Sequence, residues 1–206
     1  MSSEQPQSYL TISAPSEGLY KEKGSKFLAF AYRVNSEEDV KERLEDLRKK
    51  YFDARHHCYA YVLGPDRARY RANDDGEPNH SAGDPILGQI HSKQLTNVLI
   101  VVVRYFGGTK LGVGGLINAY KEAAEGALEH ASIEKVEITH HLRINYTYND
   151  TNEVMRLVND LDIQITDQAF EATCTLEGEI KINLIRQLED KVQLLKDTGH
   201  LVDLVS

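Results

Sequence analysis

Arg104 and Lys110 bracket a run of bare backbone, Arg104-Tyr105-Phe106-Gly107-Gly108-Thr109-Lys110-Leu111-Gly112-Val113-Gly114-Gly115. Five glycines in the nine residues 107–115 cannot continue a regular element. They permit positive φ and let the backbone approach another object closely. Cations beside exposed N–H groups suit a phosphate or another anion, above all where a helix begins. Arg104, Gly107, Gly108, Lys110, Gly112, Gly114 and Gly115 are therefore the candidate anion- or ligand-binding residues. A plainer reading stands beside this one: the glycines serve a tight turn and close packing of a helix on a strand. Neither common phosphate motif fits. Lys110 lies outside a P-loop frame, and Ile117 occupies the last glycine of a dinucleotide fingerprint.

Other residues could do chemistry. Asp74, Asp75 and Glu77 are candidate ligands for a hard cation, although Asp-Asp-Gly is also ordinary turn chemistry. Arg67, Arg69 and Arg71 alternate, which predicts one basic strand face. With Lys23 and Lys26 they are candidates for contact with a nucleic-acid backbone, or else a solvated face. His56 and His57 are adjacent in a strand pattern and so point to opposite faces, which argues against a shared metal. Cys58 alternates with Ala60 and Val62 on the buried side of that strand, where a thiol is inert. Ser25, Ser81 and His80 complete no recognisable triad. The sequence offers no catalytic machinery and implies no cofactor.

These residues need elements to hold them. Val98–Val103 is unbroken and mostly β-branched, as in a strand buried on both faces. Leu116, Tyr120, Ala123, Ala127 and Ala131 make a helix stripe from about 112 to 131, its alanines small enough for close packing on a sheet. Residues 1–15 read as loose. Phe27–Val34 reads as a strand, and Ser36 with Asp39 as a capping box before a helix carrying Val40, Leu44 and Leu47. Residues 57–63 and 67–72 read as strands, and Asp84-Pro85 as the start of a helix. Residues 133–137 form a charged join. Beyond it, Ile138 to Tyr148 alternates, Asp150 and Glu153 cap a helix, and Ile163–Thr166 is a strand. Asp167-Gln168 is a turn, Phe170, Ala172, Cys174 and Leu176 alternate, and Gly178 breaks the strand. Ile182 to Leu195 is helical and Leu201–Val205 is a strand. The resulting β-α-β-β-α-β order is that of a ferredoxin-like unit.

Val103 to Gly112 resembles the signature of the YigZ/Impact family. Asp74-Asp75-Gly76-Glu77-Pro78 with Ala82-Gly83-Asp84-Pro85-Ile86-Leu87 resembles its second motif, and Gly24-Ser25-Lys26-Phe27 and His57-Cys58-Tyr59-Ala60-Tyr61 fit in register. The resemblance is strong over about 16–132. One departure is His80-Ser81, where the family usually has Gly-Thr. The resemblance implies an α+β protein of two domains. Residues 16–135 would be an Impact-like N-terminal domain, a left-handed β-α-β two-layer sandwich like a ribosomal protein's second domain and the GHMP kinases. Residues 136–206 would be a ferredoxin-like C-terminal domain as in elongation factor G. It also implies a binding or regulatory protein linked to translation, since Impact proteins of eukaryotes act in translational control. RNA, a ribosome or a translation-associated protein would be the partner. The alternative is a small-molecule enzyme that holds a phosphorylated substrate at the glycine-rich loop, as GHMP kinases hold theirs.

Composition sets bounds. At 41% hydrophobic and 27% charged, the 206 residues are globular and suit one large or two small domains. The two cysteines form no disulfide framework or zinc spacing, and no apolar run is long enough for a bilayer. The first fifteen residues lack the basic flank and apolar stretch of a signal peptide, so the expectation is a soluble cytoplasmic protein. Charge is uneven: residues 1–135 carry 18 Lys/Arg against 19 Asp/Glu, and 136–206 carry 6 against 13. The second part is thereby a poor surface for phosphate.

Overall fold

The structure, a computed structural model, describes residues 6–171 and 173–205. In chain order the elements are β1 (Ser8–Ile12), β2 (Ser16–Glu22), β3 (Ser25–Arg33), α1 (Glu37–Lys50), β4 (His56–Leu63), β5 (Arg69–Asn73), α2 (Gly83–Ser92), β6 (Val98–Tyr105), α3 (Gly112–Glu129) and β7 (Ile133–Glu137). They continue as β8 (Thr139–Tyr146), α4 (Thr151–Asp160), β9 (Gln164–Phe170), β10 (Cys174–Lys181), α5 (Ile185–Asp197) and β11 (Val202–Val205). The chain divides into two compact units, 1–136 and 137–206.

The first unit is built on a five-stranded sheet in the order β2-β3-β6-β4-β5. β6 is central because its residues Val98 to Val103 are wholly buried. Its even-numbered residues face a core formed with α2 and α3, and its odd-numbered ones face a second core formed with α1. β3 and β4 both run antiparallel to β6 and are joined through α1. The capping box that starts α1 is present, with Asp39 N–H donating to Ser36 Oγ and the Asp39 carboxylate accepting from Ser36 N–H. α3 lies so close to β2 that a Cβ on Gly18 would come within 2.4 Å of Ala127 N, and the small Ala123 and Ala127 make that approach possible. Residues 8–12 are not loose: β1 pairs with β7 as a two-stranded ribbon, so 133–137 is a strand of the first unit.

Other boundaries also move. β5 begins at Arg69, because Arg67 adopts φ 57 and lies outside the strand. α2 begins at Gly83, and Asp84 lies inside its first turn. The cap comes from afar, with Asp74 Oδ1 accepting from Ala82 N–H at 2.9 Å and Gly83 N–H at 2.8 Å.

The second unit has the sheet order β11-β8-β10-β9, all antiparallel, with the connectivity of a ferredoxin-like fold. Leu142, Ile144 and Tyr146 of β8 and Cys174, Leu176 and Ile180 of β10 share one core with α4 and α5. Tyr148 leaves the strand and is exposed. Asp167 and Gln168 lie within β9, so the turn falls later; Ala172 lies outside the described residues. Gly178 does not end β10 but sits at a shift of register against β9. Asp150 does not cap α4 with its side chain. It accepts instead from Thr147 Oγ1, the His200 ring and Leu201 N–H, tying the start of α4 to the approach to β11.

Each unit has its own core and enough length to fold alone. Expressed separately, 1–136 and 137–206 are each expected to unfold cooperatively in urea. A broad, non-cooperative transition in either piece would show that the two cores depend on each other.

Candidate functional site

β6 leaves its core at Arg104. The side chain is only 8% exposed, yet its charge is met: Arg104 Nη1 donates to Glu77 Oε1 at 2.5 Å, and the Glu77 side chain is 4% exposed. Tyr120 of α3 donates to the same oxygen at 2.8 Å, and the Cys58 thiol donates to Tyr120 Oη at 3.3 Å. Burial pushes both the Tyr120 hydroxyl and the Cys58 thiol far above their ordinary values, so both stay protonated. The Arg104 guanidinium also lies over the rings of Phe27 and Phe106, at 5.5 and 5.7 Å from their centroids. Its Nε–H has no acceptor among the described residues.

After Arg104 the chain turns against the β2–β3 hairpin. A Cβ on Gly107 would fall 1.9 Å from Gly24 C, and Gly107 N–H donates to Ser25 Oγ at 3.1 Å. Gly107 is therefore required by a backbone crossing, and the plainer reading holds there. It does not extend to Gly114, whose added Cβ would meet nothing within 4 Å and whose φ is not positive. α3 starts at Gly112 with no side-chain cap and no acidic residue in its first turn. Its first N–H groups and the positive end of its dipole are left to solvent or to a ligand.

This helix start opens on a cavity of about 840 Å³. Arg104, Glu77 and His56 line it with Lys110, Leu111, Gly112 and Val113, and Asp53, Tyr105 and Phe106 complete the wall. Tyr105 donates to Asp53 Oδ1 at 2.7 Å, and that hydrogen bond raises its hydroxyl to about 12.

The sequence-derived candidates separate accordingly. Arg104, Gly107, Gly108, Lys110, Gly112, Gly114 and Gly115 come together around the start of α3, but Arg104 is an internal ion-pair partner rather than a free cation. Lys23 and Lys26 flank the hairpin that packs on Gly107, with Lys26 opposite Tyr105. Arg69 and Arg71 pair opposite Leu63 and Tyr61, toward the far end of the sheet. From Arg104 that end is roughly 20 Å away at the rise of a strand. Arg67 faces α2, where its guanidinium meets His91 Nδ1 at 3.0 Å. The five basic residues do not form one stripe.

Asp74, Asp75 and Glu77 are also spent separately. Asp74 caps α2, Asp75 Oδ2 accepts from His57 N–H at 2.7 Å, and Glu77 holds Arg104. No group of three ligating side chains occurs among the described residues. Burial by itself would raise Asp74, but the N–H groups of Gly83, His80 and Ala82 outweigh it and hold the carboxyl below its ordinary value. His80 adopts φ 63, which explains why a glycine suits that position. Sequence reasoning missed Tyr120, which read as one more member of a helix stripe, and the placement of His56 in the cavity.

Residues 23–128 match the Impact N-terminal domain. The chain is 35% identical over 154 residues to the IMPACT family member YvyE of Bacillus subtilis, spanning 75% of this chain and 70% of that one. It is 32% identical over 188 residues to the IMPACT family member YigZ of Escherichia coli, spanning 90% and 92%. A crystal structure described as that of a hypothetical protein superposes at a TM-score of 0.70, with 27% identity over 97% of both chains. The chain belongs to the IMPACT family. None of the described helices is long and apolar enough to cross a membrane.

Two outcomes follow. Glu77→Gln removes the counter-charge of a buried guanidinium, and urea unfolding is expected to show a loss of about 3–5 kcal/mol. His57 is held below the ordinary imidazole value, chiefly by burial. The unfolded chain therefore takes up that proton first, and stability falls as pH drops below about 6.5. The urea midpoint of the wild type should drop between about pH 7.5 and 5.5, and that of His57→Gln should drop less.

Proposed function

We propose that this protein is a binding protein acting in the regulation of translation, and that its first unit takes a phosphate-bearing group in the cavity at the start of α3. The observation that carries this reading is the first turn of α3. It has no cap, no acid and three glycines, and it opens on a cavity that Lys110 also lines. A helix end left so bare favours an anion through both its free N–H groups and its dipole. Glu77 offsets Arg104, so Lys110 and the helix end supply the net attraction. The link to translation follows from the family, whose eukaryotic Impact members act in translational control. The partner is then RNA or a ribosome-associated protein, met in the cytoplasm. Lys23 and Lys26 extend the attraction along the hairpin, and the acidic second unit stays out of the contact.

A second reading is favoured by the cavity itself. About 840 Å³ is the size of a small-molecule site. It would suit an enzyme with a phosphorylated substrate at the glycine-rich loop.

Titration with single-stranded RNA and with pyrophosphate, at low and high salt, separates the readings. RNA binding should weaken steeply with salt, whereas a small ligand seated in the cavity should respond less. Lys110→Ala should weaken either ligand by about tenfold, or about 1.4 kcal/mol. Gly114→Glu places a carboxylate where the anion would lie. It should weaken binding even though its charge suits the start of a helix. Unchanged binding in both variants would leave the loop as packing alone.

A further inference from the structure

His56 stands opposite Arg104 in the β4–β6 register. Side chains so paired lie on one face with their Cβ atoms about 5 Å apart, and both line the cavity. Nδ1 of His56 is 2.9 Å from the carbonyl oxygen of Asp75. A carbonyl only accepts, so Nδ1 carries the proton and Nε2 keeps the lone pair. Asp75 cannot easily drift. Its φ is 41, its N–H donates to Asn73 Oδ1 at 2.9 Å, and its carboxylate holds His57 N–H. The loop that looked like a cation site thus orients one imidazole, whose Nε2 has no protein partner among the described residues. Arg104, nine-tenths buried in the same wall, keeps an Nε–H without an acceptor. Lys110 and the first turn of α3 border the same space.

We propose that His56 is a phosphoryl-accepting nucleophile, labelled by small donors whose phosphoryl group is bound to a good leaving group. This rests on the cavity being an anion site. With phosphoramidate as donor, the Nε2 lone pair forms the new N–P bond while the donor's own P–N bond breaks. The electron pair of that bond stays on the departing nitrogen, which leaves as ammonia. The Nδ1 proton remains on the hydrogen bond to Asp75, so the ring carries the positive charge created. The phosphoryl oxygens gain the donors that such a transfer needs from Lys110 and the N–H groups of α3.

The test uses the full chain with phosphoramidate, mapped by mass spectrometry without acid. One acid-labile phosphoryl group is expected on His56, forming at least about tenfold faster than on the exposed His140 or His141. His56→Gln should lose it, His80→Gln should keep it, and Lys110→Ala should slow it. Circular dichroism of each variant guards against a folding defect. Label spread evenly over the exposed histidines overturns the proposal. So does an unlabelled His56 in protein that still binds pyrophosphate, and in that case the anion site survives. If pyrophosphate is not bound and His56 is not labelled, both readings fall together.

Discussion

The ion pair between Arg104 and Glu77 is the interaction on which the first unit's functional end depends. Each charge would cost several kcal/mol to bury alone, so neither can occupy its place without the other. Meeting that demand fixes much else. Glu77 must arrive from the loop after β5, which folds through the Asp74 carbonyl accepting from Glu77 N–H at 2.9 Å. Tyr120 must arrive from α3 to share the carboxylate, and Phe27 from β3 to cover the guanidinium. One carboxylate thereby ties together a strand, a helix and a loop that are far apart in sequence. The walls of the cavity are those same elements, so its shape is set by a charge balance rather than by apolar packing alone.

What the sequence made legible were the features whose causes are local. The buried run of β6, the capping box of α1, the small-residue stripe of α3 and the β-α-β-β-α-β order of the second unit all read from spacing. What stayed hidden depends on distant partners. β1 and β7 are short and half-exposed, and each is a strand only because the other lies beside it. Asp84 had the local signature of a cap, but Asp74 reached the same N–H groups from outside the helix. The alternation of Arg67, Arg69 and Arg71 described a strand correctly from Arg69 onward and failed where the backbone turned left-handed at Arg67.

The glycine-rich loop shows both kinds of reason at work. Gly107 is needed because two backbones cross, which no pattern in its own neighbourhood could reveal. Gly114 has room for a side chain and does without one. The position of His80 carries the complementary lesson. It keeps a left-handed backbone with a bulky ring, and the ring then finds Asp84 at 2.6 Å. A residue that departs from its family's glycine has retained the geometry and added a surface contact in place of conformational ease.

The ribbon of β1 with β7 sets an order of events during synthesis. Its halves are separated by more than a hundred residues, and Ser13 donates to the Ser132 carbonyl to hold them together. Such a contact has a high contact order and forms late. While the chain grows from its amino end, the five-stranded sheet can assemble with its first strand still waiting for a partner. The ribbon closes only once residue 137 has left the exit tunnel, when the second unit is just beginning to emerge. Closure of the first unit is thus timed to the moment at which its neighbour starts to fold.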